Sequence, residues 1–261
     1  MTTISNLLEF SGGNEWNKKY HIVECKKALS PSKLPGIDHA LNPYGGCEHA
    51  CVYCYAPEVT YTEWEDWTTI KVRAGIESRL GKELAAIKGT VGIGTTTDPY
   101  QPAEERFELT KKCLIKLKEK KMRIHVHTKS DLILRDLPIL RDMEGEFAVT
   151  ITSVDERISK IIEPGAPCPS RRINALKQLT DAGLDTYALV GPVLSILEGH
   201  EKEFVESITS TGTKRMLLDT LNSRPLLTKR MESINIRGSQ KAKEKIRSLA
   251  TANGIKVSDV F

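Results

Sequence analysis

Three of the six cysteines in this 261-residue chain fall within one short stretch, Cys47-Glu-His-Ala-Cys51-Val-Tyr-Cys54. No other feature constrains the fold as tightly. Thiols crowded on one loop serve as ligands, and such a loop has to be held in shape by its surroundings. Disulfide pairing is the rival use of an even cysteine count. The first twenty residues, however, show no basic region followed by a long apolar core, so no secretion leader is expected. No apolar run approaches the roughly 18 to 20 residues that span a bilayer. The expectation is a reducing, cytoplasmic setting with no membrane association.

Spacing narrows what the thiols can bind. Structural zinc takes four closed ligands, usually from Cys pairs separated by a longer spacer. His49, inside the loop, could complete such a set, so zinc stays open as an alternative, as does a structural use as buried free thiols. Three thiolates in a C-x3-C-x2-C loop instead leave one corner of a cubane iron–sulfur cluster without a protein ligand. An iron with an open position can take a small chelating molecule, which a cluster held by four cysteines cannot. Tyr44-Gly45-Gly46 gives the loop a flexible approach, and Tyr53 and Tyr55 bracket its last cysteine with flat aromatic walls.

Composition is that of a soluble globular protein, 39% hydrophobic and 28% charged, and the length suits one barrel-sized unit. The chain is read as irregular to about residue 37, where Gly12-Gly13, Pro31 and Pro35 interrupt it. Strand and helix patterns then alternate. Strands are expected at 39–42, 90–94, 122–128, 147–152, 186–190 and 215–218, and helices at 102–121, 131–141, 170–182, 200–210 and 237–253. Six strand–helix units imply a parallel sheet with crossover helices, an α/β fold of the incomplete (β/α)6 TIM-like barrel type. The expected division is an N-terminal extension (1–37), the partial barrel (38–220) and a C-terminal helical segment packing on it (221–261).

The stretch Asn42-Pro-Tyr-Gly-Gly-Cys-Glu-His-Ala-Cys-Val-Tyr-Cys-Tyr-Ala56 resembles the signature of the radical S-adenosylmethionine (SAM) superfamily. It is most similar to the branch related to spore photoproduct lyase, the DNA repair photolyase-like proteins. The resemblance continues through Thr97–Glu104 (TDPYQPAE), Thr128-Lys-Ser130 and Glu163–Arg172 (EPGAPCPSRR), and so covers roughly residues 38 to 220. It implies a [4Fe–4S] cluster on Cys47, Cys51 and Cys54 whose open iron binds the amino and carboxylate groups of SAM. It implies reductive cleavage of SAM to methionine and a 5′-deoxyadenosyl radical that takes hydrogen from a substrate. An electron donor such as flavodoxin or ferredoxin is then required. The branch suggests a nucleic acid or nucleotide substrate, with DNA or RNA as partner. A protein, peptide or small metabolite is the alternative, and a non-catalytic zinc or iron–sulfur module is the alternative of another class. Spore photoproduct lyases return a hydrogen atom through a cysteine at the second strand. This chain has Thr95, Thr96 and Thr97 there, so thymine-dimer repair is not expected.

Polar residues at the predicted strand ends are the candidates for holding SAM. Thr96, Thr97 and Asp98 follow the second strand and suit a ribose or an amino group, or else form a turn capped by Asp98. Lys129 and Ser130 follow the third; the lysine suits a carboxylate, or the serine simply caps a helix. Ser153 follows the fourth strand. Glu163 and Arg172 suit a ribose and a carboxylate, or an ion pair with each other, and Tyr53 suits the cofactor wall. Cys168 is a weak catalytic candidate as a hydrogen donor, or a loop thiol. His125 and His127 share one strand face as polar barrel lining or hydrogen-bonded core residues. Ten Lys or Arg against three Asp or Glu between Lys214 and Arg247 form a possible phosphate-facing stretch in a chain of net charge only +4, or a solvated helix surface.

Overall fold

The computed structural model describes residues 19–260. Strands β1 (Tyr20–Glu24) and β2 (Leu29–Pro31) precede the barrel. They correct the expectation of an irregular chain to residue 37, of which residues 1–18 lie outside the described ones. Pro31 reads as a breaker, but β2 is the sheet edge, where a missing N–H is tolerated. The chain continues through β3 (His39–Leu41), β4 (Tyr44–Gly45), α1 (Ala56–Val59), β5 (Ile70–Ala74) and α2 (Ile76–Glu83). It then alternates as β6 (Val91–Ile93), α3 (Ala103–Phe107), α4 (Leu109–Glu119), β7 (Ile124–Thr128), α5 (Leu137–Leu140) and β8 (Gly145–Thr150). The last part comprises α6 (Glu156–Ile162), α7 (Pro169–Asp181), β9 (Thr186–Val190), α8 (Glu201–Thr209), β10 (Arg215–Leu218), α9 (Pro225–Ser233), α10 (Gln240–Ala252) and β11 (Lys256–Asp259).

The main sheet runs β11-β10-β9-β8-β7-β6-β3-β2, every pair parallel except β2–β3. The six strands expected of the barrel are all present, and the fold is the mostly parallel α/β partial barrel that their alternation implied. A small second sheet, β1-β5-β4, supports the cysteine loop from outside. The segment after 220, expected as helical, also adds β11 as a further parallel strand. Its sequence Lys-Val-Ser-Asp carries one apolar side chain, too little for a period-two signal.

Two predicted helices are broken, each for a local reason. The helix expected over 102–121 divides at Glu108, whose φ is +51°. Buried Glu104 causes the division: its carboxylate accepts the N–H groups of Thr110 (2.8 Å) and Lys111 (3.1 Å) and so caps α4 from the preceding turn. The helix expected over 131–141 becomes a tight 3-10 stretch, Asp131–Asp136, followed by α5. Pro138, without an N–H, sits at the start of α5, where a donor is not needed.

Side-chain parity along the strands separates support from contents. Ile93, Val126, Val149, Val190 and Leu218 face outward into the main core beneath the helices. Each such burial contributes roughly 1.5–3 kcal/mol. The inward positions carry His125 and His127 on β7, Thr150 on β8, Tyr187 and Leu189 on β9, and Leu217 on β10.

Candidate active site

The cysteine loop follows β3 and the short β4 and is tied on several sides. Cys47 N–H donates to Trp67 O at 2.9 Å, Val52 N–H to Ile162 O at 2.9 Å, and Gly165 N–H to His49 O at 3.1 Å. Gly46 has φ +79°, and a Cβ there would lie 2.7 Å from Trp67 O. A Cβ on Gly165 would sit 1.9 Å from Glu48 O, so only glycine lets the 163–168 segment lie against the loop. Buried Glu48 reaches outward, accepting from Tyr20 OH (2.8 Å), Lys19 Nζ (2.7 Å) and Ala103 N–H (2.6 Å). Asn42 ties the loop to the end of β6: its Oδ1 accepts from Thr96 N–H at 3.0 Å, and its Nδ2 donates to Thr95 Oγ1 at 2.9 Å.

All three thiols are free and line one cavity of about 350 Å³ at the C-terminal ends of the barrel strands. Burial pushes each above its ordinary pKa, Cys51 to about 12, and outweighs the nearby positive charge of Lys129 and Arg172 at Cys51 and of Lys129 and Arg230 at Cys54. Among the described residues no three His, Cys, Asp or Glu side chains are gathered tightly enough to hold a single metal ion. His49 turns to Asp98, Nδ1 lying 3.3 Å from Oδ2, too oblique for a hydrogen bond, and both its ring nitrogens lack one.

Tyr53, Thr96, Thr97, Asp98 and Lys129 join the cysteines on the cavity wall. Lys129 lies with its Nζ 5.5 Å from the centre of the Tyr53 ring, and that ammonium has no hydrogen-bond or ion-pair partner among the described residues. Burial would lower its pKa, but negative charge at Cys51 and Glu163 outweighs that and holds it above the usual value. Asp98 is committed internally. It accepts from Thr128 Oγ1 (2.7 Å), Lys129 N–H (2.7 Å) and Tyr100 N–H (2.9 Å). Burial would raise its carboxyl; the facing His49 and these donors bring it to about 2. Thr97 Oγ1 donates to Tyr44 O at 3.1 Å, whereas the Thr96 hydroxyl has no partner among the described residues.

The remaining candidates stand behind the wall. Ser130 caps the 3-10 stretch by accepting from Leu132 N–H at 3.2 Å, and Ser153 accepts from Asp155 N–H at 3.0 Å. Glu163 and Arg172 form a fully buried ion pair at 2.5 Å. Glu163 also accepts from Tyr53 OH and from Thr152 Oγ1 (2.8 Å), while Arg172 donates to Pro167 O (2.6 Å) and Ser159 Oγ (3.3 Å). The pair thus braces Tyr53 from beneath. Cys168 begins α7 with its thiol 3.1 Å from Ser170 Oγ, outside the cavity lining.

Sequence reasoning missed three groups. Tyr187 OH lies 2.5 Å from His125 Nε2 and 2.7 Å from His127 Nε2 on the barrel floor. Burial lowers both imidazoles, His127 to about 3, so the floor is a neutral polar cluster at ordinary pH. Inward parity on β9 is the signal that could have found Tyr187. Asp219, Thr220 and Asn222, just after β10, line the far side of the cavity. Burial raises the Asp219 carboxyl. Arg230, on α9, grips the cysteine loop, and no local pattern announces it. Four of the ten cations of the basic stretch are paired internally: Arg215 with Glu146 (2.8 Å), Lys243 and Arg247 with Asp259 (2.7 Å each) and Lys241 with Glu198 (3.7 Å).

The radical SAM superfamily matches over residues 41–208. An uncharacterised protein of Methanocaldococcus jannaschii is 33% identical over 213 residues, 79% of this chain and 80% of that protein. Among solved structures, spore photoproduct lyase complexed with dinucleoside spore photoproduct superposes with TM-score 0.68 at 14% identity, covering 93% of this chain and 82% of that one. SuiB of Streptococcus suis bound to the precursor peptide SuiA gives TM-score 0.60 at 13% identity, over 87% of this chain and 49% of that one. Likeness at such identities concerns the fold; the family rests on the sequence match, and by it the chain belongs to the radical SAM superfamily.

Proposed function

We propose that this chain cleaves S-adenosylmethionine reductively and uses the resulting radical to take hydrogen from a substrate in the same cavity. The supporting observation is the convergence of three free thiols, Cys47 and Cys51 buried and Cys54 partly so, and a lysine ammonium without a hydrogen-bond or ion-pair partner among the described residues on one cavity at the strand ends. Cys47, Cys51 and Cys54 would hold a [4Fe–4S] cluster, which when bound supplies the electron for SAM cleavage. The thiols give up their protons on loading, so cluster retention weakens in acid. Lys129 would pair with the SAM carboxylate and the Thr96 hydroxyl would bond a polar group of SAM, while Tyr53 forms the wall, braced by Glu163 and Arg172. Thr97, Asp98, Ser130 and Ser153 would hold the strand ends in register. Residues 38–220 would form the catalytic unit, working in the cytoplasm with a low-potential donor such as flavodoxin or ferredoxin. No described helix is long and apolar enough to cross a membrane.

For the substrate, we propose a nucleotide or nucleic acid segment. Asp219, Thr220 and Asn222 offer an acceptor, a hydroxyl and an amide, the set that reads a base edge; the fold it shares with a structure holding a dinucleoside points the same way. The internal pairing of the basic stretch favours a second reading, a peptide, as in the SuiB complex. Anaerobic purification is expected to give a brown protein with about four irons per chain, forming 5′-deoxyadenosine from SAM under dithionite. A colourless protein with a single zinc overturns the proposal. DNA and RNA oligonucleotides that stimulate 5′-deoxyadenosine formation in a salt-dependent way support the first substrate reading; stimulation by peptides alone supports the second.

A further inference from the structure

Arg230 carries a positive charge that the described residues do not neutralise. Its Nε donates to Val52 O at 3.2 Å and its Nη2 to Cys54 O at 2.6 Å. Its guanidinium carbon lies 4.0 Å from the centre of the Trp64 ring. Leu227 and Met231 of the same helix are buried against Cys51 and Tyr53. Leu227 N–H donates to Glu58 Oε1 at 2.7 Å, so α9 is fixed beside the loop. No carboxylate among the described residues pairs with Arg230; Glu58 and Glu65 act on it only from farther away.

A partly buried guanidinium without a counter-ion is costly, and carbonyl dipoles and a ring face offset only part of that cost. Arginine cannot relieve it by losing its proton. The helix has nonetheless placed the cation at the carbonyl of Cys54, the least enclosed of the three cysteines. A [4Fe–4S] centre on three thiolates is anionic, and reduction makes it more so. Nearby charge and hydrogen bonding set the potential of such a centre.

We propose that Arg230 is the countercharge of the iron–sulfur centre, fixing its loop through two carbonyls and raising the potential at which the centre accepts an electron. Arg230 is a positioning residue and touches no reacting atom. The inference rests on the reading that Cys47, Cys51 and Cys54 hold the cluster.

The test is an EPR-monitored redox titration of the reconstituted full-length protein with Arg230→Gln and Arg230→Lys variants. Glutamine can still donate to a carbonyl but is neutral; lysine keeps the charge and loses the planar fork. The expected result is a shift to more negative potential in the Gln variant and a near-native potential in the Lys variant. An unshifted Gln variant, or a Lys variant shifted as far as Gln, overturns the proposal. Loss of iron from the Gln variant alone supports it through retention; loss from both shows that the charge does not suffice and overturns it. A wild-type protein that holds no iron–sulfur centre overturns the underlying reading, and this inference with it.

Discussion

The two walls of the cavity are built on opposite principles. On the cysteine side a frame of polar groups is bonded within the protein, namely Asn42, Glu48, Asp98, Glu163 and Arg172, and the Lys129 ammonium and Thr96 hydroxyl are left facing the cavity. On the far side the Asp219 carboxylate meets the neighbouring Thr220 N–H, and among the described residues Asp219, Thr220 and Asn222 form no lattice of side-chain to side-chain bonds. The near wall spends its polar atoms on holding a loop still, as an iron centre and a charged cofactor require. The far wall keeps its polar atoms available, as a substrate requires. On the proposed function, reaction type and substrate choice are divided between two sets of residues.

Breaking the near wall should have the larger effects. Cys51→Ala is expected to abolish both iron binding and SAM cleavage, measured by iron content and 5′-deoxyadenosine; retention of either removes Cys51 from the ligand set. Glu163→Gln leaves the buried Arg172 uncompensated and should cost roughly 3–5 kcal/mol in denaturant unfolding. Burial raises the Glu163 carboxyl, but Arg172 and Lys129 outweigh it and hold its pKa below the usual value. The stability it contributes is thus complete above the unfolded carboxyl's pKa of about 4.3 and is lost as pH falls through the lower folded value. A Gln variant as stable as wild type at neutral pH removes the bracing role.

Tyr187→Phe, on the floor between the walls, leaves two imidazoles without their shared partner and should cost about 1–3 kcal/mol by thermal or denaturant unfolding. Asp219→Asn, on the far wall, is expected to change stability by no more than about 0.5 kcal/mol. It should leave substrate-free SAM cleavage intact while changing which oligonucleotides stimulate it. Equal damage from Asp219→Asn and Glu163→Gln would erase the distinction between the walls.

Much of this was legible from the chain. The six barrel strands follow from short apolar or alternating runs set between helical patterns, and the cysteine loop from its spacing. Thr96 and Lys129 read as cavity residues because strand ends in parallel α/β folds converge on one edge, and Tyr53 because it flanks the last cysteine; all three line the cavity. What stayed hidden depends on contacts between distant segments. The division at Glu108 comes from the way buried Glu104 is satisfied, by Tyr44 from 60 residues away (2.5 Å) and by Arg135 (2.6 Å). Arg230 meets a loop 176 residues earlier in the chain. Arg172 read equally well as a cofactor grip or as half of an ion pair, because only burial shows where its donors go.

The outward parity of Ile93, Val126, Val149, Val190 and Leu218 has a consequence for how such a protein changes over time. Cohesion between sheet and helices resides on one side of the strands and chemistry on the other. The inward residues, from His125 to Leu217, can therefore be exchanged without disturbing the apolar packing between sheet and helices, at the loss only of the bonds they make with one another. Scaffold and cargo are separately editable, and a lineage can retarget the reaction while inheriting the architecture whole.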